Sequence, residues 1–271
     1  GNPTSDIRNG YSMVLKRARD LYQNDPTGRH IPTTYINNIC GPFGFTFQSK
    51  VMSDIPNADG IFVEDKMVND MIEWAWWDWG TPLYCAVSDR QSWRAIQELL
   101  MLHWVRDGEF LCEHRLNRSK YGYQLKPLQP ELIDIQYNEQ LSNGNIVVQG
   151  IELDNDERVL AYWLKVPTPS ARLWGMYDIG KRERIEANRL YHGFHQQHAC
   201  QVRGMSLMDA IMIRMKLLSD YEKYQWIAAK ANSSLAMVFK NQSGKQAAPL
   251  TDTTGKKITG NSKVEINFSE F

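Results

Sequence analysis

The sequence predicts an α+β protein, a body of helices and antiparallel strands followed by one long helix. Three observations carry this. Apolar residues recur at helical spacing over 8–24, 63–79 and 88–108. β-rich runs flank polar turns twice, over 109–128 and 145–166. From Ser206 a helical period runs on to about Phe239.

In chain order, "RNGYSMVLKRARDLYQN" forms the first helix. Val14, Ala18 and Leu21 lie on one face, and Lys16, Arg17 and Arg19 on the polar side. "NDPTGRHIP" breaks it, and a second helix spans Thr33 to Ile39, ended by Gly41-Pro42. "FGFTFQSKV" alternates Phe43, Phe45 and Phe47, the pattern of a half-buried strand. Val63 to Trp79 is a tryptophan-rich helix stopped by Gly80-Thr81-Pro82. Trp74 and Trp77 share a face and Trp76 points elsewhere, so this helix is expected to pack in a core or an interface. A carbohydrate platform of Trp74, Trp76, Trp77 and Trp79 is the functional alternative. Ser88 and Gln91 read as a capping box for the next helix, with Asp89 in the first turn. Trp93, Ile96, Leu100 and Trp104 make its apolar face, and Gly108 lies just past its end.

"EFLCEHR" and "YGYQLKPL" read as two strands around a polar turn. "NIVVQGIELDNDERVLAYWLKV" reads as a hairpin turning at Asp154–Glu157, whose spacing does not fit a calcium loop. "PTPSARLWGMYDIGKRER" reads as a long exposed loop, and the following segment returns to a short strand ending near Phe194. Ser206 is a good N-cap for the last helix, with Asp209 in its first turn. Leu207, Ile211, Met215, Leu218 and Tyr221 recur along it. A polar stretch from Gly244 reads as loop, and "KVEINFSEF" reads as a terminal strand with nothing after it. With Gly1 in place of an initiating methionine, that end leads us to expect a piece of a longer protein.

Composition narrows the function. Of 271 residues, 42% are hydrophobic and 23% charged, an ordinary globular balance. Lysine plus arginine equals aspartate plus glutamate at 31 each, so any attraction to nucleic acid must come from local patches. Cys40, Cys85, Cys112 and Cys200 are widely spaced without a CxxC pair, which fits buried thiols better than a disulfide framework. No stretch is apolar for long enough to cross a bilayer, and no signal peptide is visible.

The one stretch with ligand chemistry is "HGFHQQHACQVRG", which carries His192, His195, His198 and Cys200. On an extended segment His192, His198 and Cys200 share a face, and three such ligands plus water make a zinc site. A zinc-dependent hydrolase using this cluster, with Glu183 or Glu186 as base, is therefore the enzymatic alternative. The sequence offers no HExxH, and histidines at a turn are the default reading.

Six pieces in order carry a resemblance. They are "RARDLYQNDPTGRHI"; "WAWWDWG" with Trp74 and Trp77, followed by Cys85; "VRDGEFL" with Asp107, Gly108 and Glu109; and "LQPELI" with Gln129. "QGIELDNDERVLAYW" follows, with Gly150, Ile151, Glu152, Asp154, Arg158, Ala161, Tyr162 and Trp163. Last comes "YHGFHQQHACQVRGMS", with His192, Gln201, Arg203, Gly204 and Ser206. Over roughly residues 15–240 the chain resembles the portal proteins of lambda-type tailed bacteriophages. Glu157 stands where the family has a glycine, and His198 and Cys200 where an arginine and a glycine are expected.

The resemblance implies a wing domain over 1–205, a stem helix over 206–240 and the start of a clip region over 241–271. The family's crown would lie outside the chain. It implies a homo-oligomeric ring, usually of twelve subunits, at one capsid vertex of the virion, assembled in the bacterial host cytoplasm. Double-stranded DNA would pass through it without sequence readout. The terminase large subunit, head-completion or adaptor proteins and the major capsid protein would be its partners. It implies no catalysis, cofactor or metal, since ATP hydrolysis would belong to the terminase. Leu207, Ile211, Met215 and Leu218 would pack against neighbouring stem helices. Arg214, Lys223 and Lys230 would face DNA or stand as solvated helix charges.

Overall fold

The computed structural model describes residues 3–56, 59–116, 119–167 and 177–234. The chain divides into two compact units, residues 1–219 and 220–271. The expectations for the polar stretch from Gly244 and for a terminal strand lie outside the described residues.

The first unit opens with helix α1 (Pro3–Asn24) and helix α2 (Pro26–Ile39). α2 begins seven residues before the expected Thr33. Asp25 is its N-cap, accepting from Gly28 N–H at 2.8 Å, and Pro26 takes the first helical position. There a proline's fixed φ and missing N–H suit the helix, so "NDP" is a start as well as a break. α1 buries Ile7, Tyr11, Leu15 and Ala18.

The segment with alternating phenylalanines is not a strand. Phe43, Phe45 and Phe47 are exposed, and the only pairing described nearby is the isolated bridge between Met52 and Glu64. Side chains from helices take its backbone donors instead. Phe45 N–H donates to Gln97 Oε1 at 2.8 Å, Ser49 N–H to Glu73 Oε1 at 3.0 Å and Val51 N–H to Asn69 Oδ1 at 2.7 Å. Two of those acceptors lie on helix α3 (Lys66–Trp79), which Asp65 caps.

A short helix α4 (Pro82–Cys85) precedes α5 (Trp93–Leu102). The cap of α5 is Ser92, whose Oγ accepts from Ala95 N–H at 3.2 Å, and not Ser88. Asp89 sits at φ 54 in the turn before it. Ser92→Ala is therefore expected to lower stability by about 1 kcal/mol, and Ser88→Ala by less than about 0.5 kcal/mol. Denaturant midpoints of the two variants check this.

Two antiparallel sheets follow. The first has the order β2–β1–β8, from β1 (Glu109–Leu116), β2 (Tyr123–Leu128) and β8 (Leu190–Phe194). The second runs in chain order through β3 (Glu139–Gln140), β4 (Ile146–Val148), β5 (Ile151–Leu153), β6 (Val159–Pro167) and β7 (Tyr177–Glu186). From Tyr177 the expected loop is strand β7; the loop's residues 168–176 lie outside the described residues. The charges of β7 are paired on the sheet, Arg182 with Asp134 at 2.6 Å and Arg184 with Glu152 at 2.7 Å.

Leu111, Ile133, Ile151, Tyr162, Leu164 and Ile185 are among the residues of one core, which the two sheets share. A second core joins Trp79, Cys85, Ile96, Cys112 and Leu125. The last helix, α6, spans Asp209–Ser234, three residues later than Ser206 suggested. Ser206 Oγ accepts from Met208 N–H at 3.1 Å, so it caps the turn leading into the helix. Asp209–Ser219 of this helix belong to the first unit. In the second unit the helix is described from Asp220 to Ser234.

Candidate functional site

The residues from separate sequence motifs converge on one buried charge pair. Glu109 opens β1, and Arg203 lies in the segment between β8 and α6. Both are fully buried. The Arg203 guanidinium donates to both Glu109 carboxylate oxygens, with Nε 3.0 Å from each and Nη2 on Oε1. Its remaining donors reach backbone carbonyls of Pro130 at 3.2 Å, Gln149 at 3.3 Å and Ile133 at 3.5 Å. The carboxylate also accepts from Tyr11 Oη at 2.7 Å, His192 Nε2 at 3.0 Å and the Gly204 N–H at 3.0 Å. Arg203 Nη2 in turn donates to Tyr11 Oη at 3.1 Å.

Burial alone would raise the Glu109 pKa, but the Arg203 charge and the hydrogen bonds from His192 and Arg203 hold it far below the usual carboxylate range. A charge taken out of water persists only when paired and hydrogen-bonded in this way. At neutral pH the guanidinium keeps its protons, and the carboxylate is ionised and saturated with donors. The pair's capability is mechanical. It ties α1, β1, the segment after β2 and β8 to the chain entering α6.

Asp107, two residues earlier, repeats the device. Arg106 and Arg19 both clasp it, at 2.7 and 2.9 Å and at 3.3 and 3.1 Å, and Arg19 also reaches Glu131 at 2.9 Å. Arg19 is thus no member of a solvated face. Gly108 between the two acids has φ 93, and a methyl group on it would fall on the Met205 carbonyl. A methyl on Gly204 would fall on the Gly108 carbonyl oxygen. The two glycines therefore let the Asp107–Glu109 and Arg203–Met205 backbones touch. Leu207 N–H closes the contact on Val105 O at 3.1 Å.

α5 reaches this site through a π-helical turn, His103–Asp107. His103 is buried there, and burial pushes its pKa down to about 4. The unfolded chain, with an ordinary histidine pKa near 6.5, binds this proton first. Stability is therefore expected to fall as pH drops from about 6.5 towards 4, by about 2 kcal/mol between pH 7 and pH 5. His103→Gln should remove that dependence, read as the shift in denaturant midpoint between the two pH values.

The other motif residues serve the five-stranded sheet. Glu152 accepts from Arg184 and, at 3.0 Å, from Asn145. Asp154 Oδ1 accepts the Asp156 and Arg158 N–H groups at 2.8 Å, closing the hairpin turn. Glu157, standing where a glycine was expected, adopts φ 62, so the turn keeps the left-handed conformation without the glycine. Gly150 has φ 78 and lies where a Cβ would be 2.7 Å from Asp134 O. Trp163 meets Tyr137 edge-on at 5.2 Å, and Tyr162 meets His192 edge-on at 5.4 Å.

The histidine cluster is dispersed. His192 is committed to Glu109, and it shares a groove of about 580 Å³ with Cys200, whose lining does not include His198. The loop is organised instead by Gln201, which accepts from the N–H groups of Gln197 and His198 and donates to Arg203 O at 2.7 Å. Among the described residues no group of three or more His, Cys, Asp and Glu could hold a metal ion. Cys200 is exposed, whereas the other three cysteines are buried.

In α3, Trp76 and Trp79 face inward, their rings tilted at 37° and 5.1 Å apart, and they meet Trp93 at 6.0 and 5.6 Å. Trp74 and Trp77 share the opposite, outer side, 64% and 60% exposed. On α6, Ile211 packs beside Ala18, Met208 and Met212; Leu207 and Met215 are half-buried and Leu218 is exposed. Arg214, Lys223 and Lys230 are all exposed. At 3.6 residues per turn Lys223 and Lys230, both in the second unit, fall on one side of a helix.

Sequence reasoning missed Tyr11 and Arg19. The available signal was Tyr11 at helical spacing between Ile7 and Leu15, since a phenol on a buried face needs a polar partner.

A family model described as "Phage portal protein, lambda family" matches residues 1–269. The chain is 28% identical over 236 residues to the "Probable portal protein" of Halomonas phage phiHAP-1. That match takes in 87% of this chain and 44% of the phage protein, so the chain spans under half of that relative's length. A solved chain from the "Neck of empty GTA particle computed with C6 symmetry" matches 92% of this chain and 52% of its own, at 12% identity and a TM-score of 0.42.

Proposed function

Since this chain belongs to the lambda family of phage portal proteins, we propose that it is part of a portal subunit that forms a ring at one capsid vertex. Double-stranded DNA is packaged and ejected through that ring, and the tail machinery attaches to it. In this reading residues 1–205 are the wing, 206–240 the stem helix and 241–271 the start of the clip. The role is structural. The terminase large subunit, adaptor proteins and the major capsid protein are its partners, in the virion.

One observation carries the ring. Along α6, Ile213, Leu217, Tyr221 and Tyr224 are all exposed, at spacings of four, four and three. A helix with such an apolar stripe gains by burying it against another helix. Repeating the chain around an axis supplies that helix. Of the packing candidates Leu207, Ile211, Met215 and Leu218, Ile211 already packs on Ala18 and Met212 within the chain, and exposed Leu218 is assigned to the side-by-side packing. Arg214, Lys223 and Lys230 are the channel candidates. The subunit's zero net charge suits a channel that guides phosphates without gripping them. No helix of the described residues is long and apolar enough to cross a membrane.

Negative-stain electron microscopy of the full-length protein, with its mass in solution, tests this. Rings with a central hole are the expected result. A monomer at every concentration would overturn it.

A further inference from the structure

In the three-stranded sheet, Glu113 lies on the central strand β1, opposite Lys126 of β2 on one side and Leu190 of β8 on the other. Arg115 follows two residues on, so it stands on the same face of the strand. Arg189 immediately precedes β8. All three cations turn to the one carboxylate. Arg115 Nη2 is 2.9 Å from Oε2, Lys126 Nζ 3.8 Å from the same oxygen, and Arg189 Nη2 2.8 Å from Oε1. The acid is buried, at 1% exposure, whereas Arg115, Lys126 and Arg189 are 35%, 45% and 43% exposed.

Three positive charges around one negative charge leave an excess of two. Like charges held this close repel, and an anion arriving from solvent relieves them. The cations also keep donors in hand. A guanidinium carries five N–H donors in a planar fork, and Arg115 and Arg189 each give Glu113 one nitrogen. Arg115 Nε is buried without a partner. The buried carboxylate thus fixes the positions of cations that it does not neutralise, which reduces the ordering a ligand would have to impose. Residues 114–130, which run from β1 through the turn and β2, contain no aspartate or glutamate. In a chain of zero net charge, this is a local positive patch.

We propose that Arg115, Lys126 and Arg189 form a site for phosphate groups of a nucleic-acid backbone. The guanidinium fork matches phosphate oxygens, and the lysine adds a point charge. Such contacts carry affinity and no sequence readout, so they suit a polymer with the same charge at every repeat. The portal reading supplies double-stranded DNA as that polymer. The choice of ligand therefore rests on that reading, while the anion site rests on the sheet alone. It is separate from the channel candidates on α6.

The test is fluorescence anisotropy of a short labelled DNA duplex titrated with the full-length protein at several salt concentrations. Lys126→Gln and Arg189→Gln are each expected to weaken binding by about threefold or more at low salt, and to lower the slope of log affinity against log salt by about one or more. Lys126→Arg keeps the charge and should bind as the native protein does. Lys50→Gln should also leave binding unchanged, since it removes a cation from the segment held by α3. Lys126 lies farthest from Glu113, so its loss spares the buried acid, and that variant decides the matter if Arg189→Gln fails to fold. If Lys126→Gln binds like the native protein, or if Lys50→Gln weakens binding as much, the site is wrong and the portal reading stands. Patch-dependent binding of polyglutamate without binding of the duplex would overturn the phosphate assignment in favour of an acidic protein partner. A protein that binds the duplex through the patch but forms no rings keeps the site and loses the ring reading.

Discussion

Arg203→Ala is expected to destabilise the first unit by about 3–5 kcal/mol, the range for breaking a buried ion pair from one side. The substitution leaves Glu109 ionised in a fully buried site without its guanidinium partner. It also strips partners from the carbonyls of Pro130, Ile133 and Gln149, each of which loses a charged donor. Equilibrium unfolding in denaturant at pH 7 reads the loss. The pH dependence then separates the mechanism from a simple cavity. In the native protein the Glu109 pKa is depressed, so its contribution is present above the unfolded value near 4.3 and is lost as pH falls below it. In Arg203→Ala the unpaired carboxyl is pushed upward, so acidification from pH 7 to 5 should narrow the gap to the native protein. Glu109→Gln combined with Arg203→Met removes both charges. It should be less damaging than the sum of the single changes by about 1–3 kcal/mol, the coupling of directly bonded residues.

Gly108→Ala is expected to lower stability by about 3 kcal/mol or more, combining left-handed backbone strain with overpacking. The new methyl meets the Met205 backbone, which a rotamer change cannot move aside. Gly144 provides the control. It has φ 88, yet a Cβ there meets nothing within 4 Å. Gly144→Ala therefore isolates the backbone term, about 1–2 kcal/mol. Thermal or denaturant midpoints of the two variants, compared directly, divide strain from contact. Equal losses would show that the close approach of residues 108 and 205 is not what fixes the glycine.

Much of this was legible in the sequence because it is local. The strands 109–116 and 123–128, the hairpin turning at Asp154 and the glycine ending the helix before β1 all follow from short-range pattern. The failures share a cause: a local pattern was satisfied by distant partners. Phe43, Phe45 and Phe47 alternate as a strand would, but the donors of that segment were claimed by Gln97, Glu73 and Asn69. "GKRER" reads as solvated charge until Asp134 and Glu152 appear opposite Arg182 and Arg184. The motif residues Asp107, Glu109, His192, Arg203 and Gly204 could be named in order. Their meeting at one point could not be, since the bonds joining them to one another and to Tyr11 and Arg19 span up to 192 positions of chain.

The span of those bonds also sets an order of events during synthesis. During synthesis Tyr11 and His192 precede Arg203, so Glu109 can reach both before its guanidinium partner has been added. Closing the site before Arg203 arrives would bury the carboxylate without its guanidinium, a cost that opposes closure. Arrival of Arg203, followed at once by the glycine that lets its backbone seat against Gly108, converts the partly assembled body into the finished one. Final closure is thus deferred until the chain has reached the threshold of α6. The segment that leads out of the body is also the one that completes it.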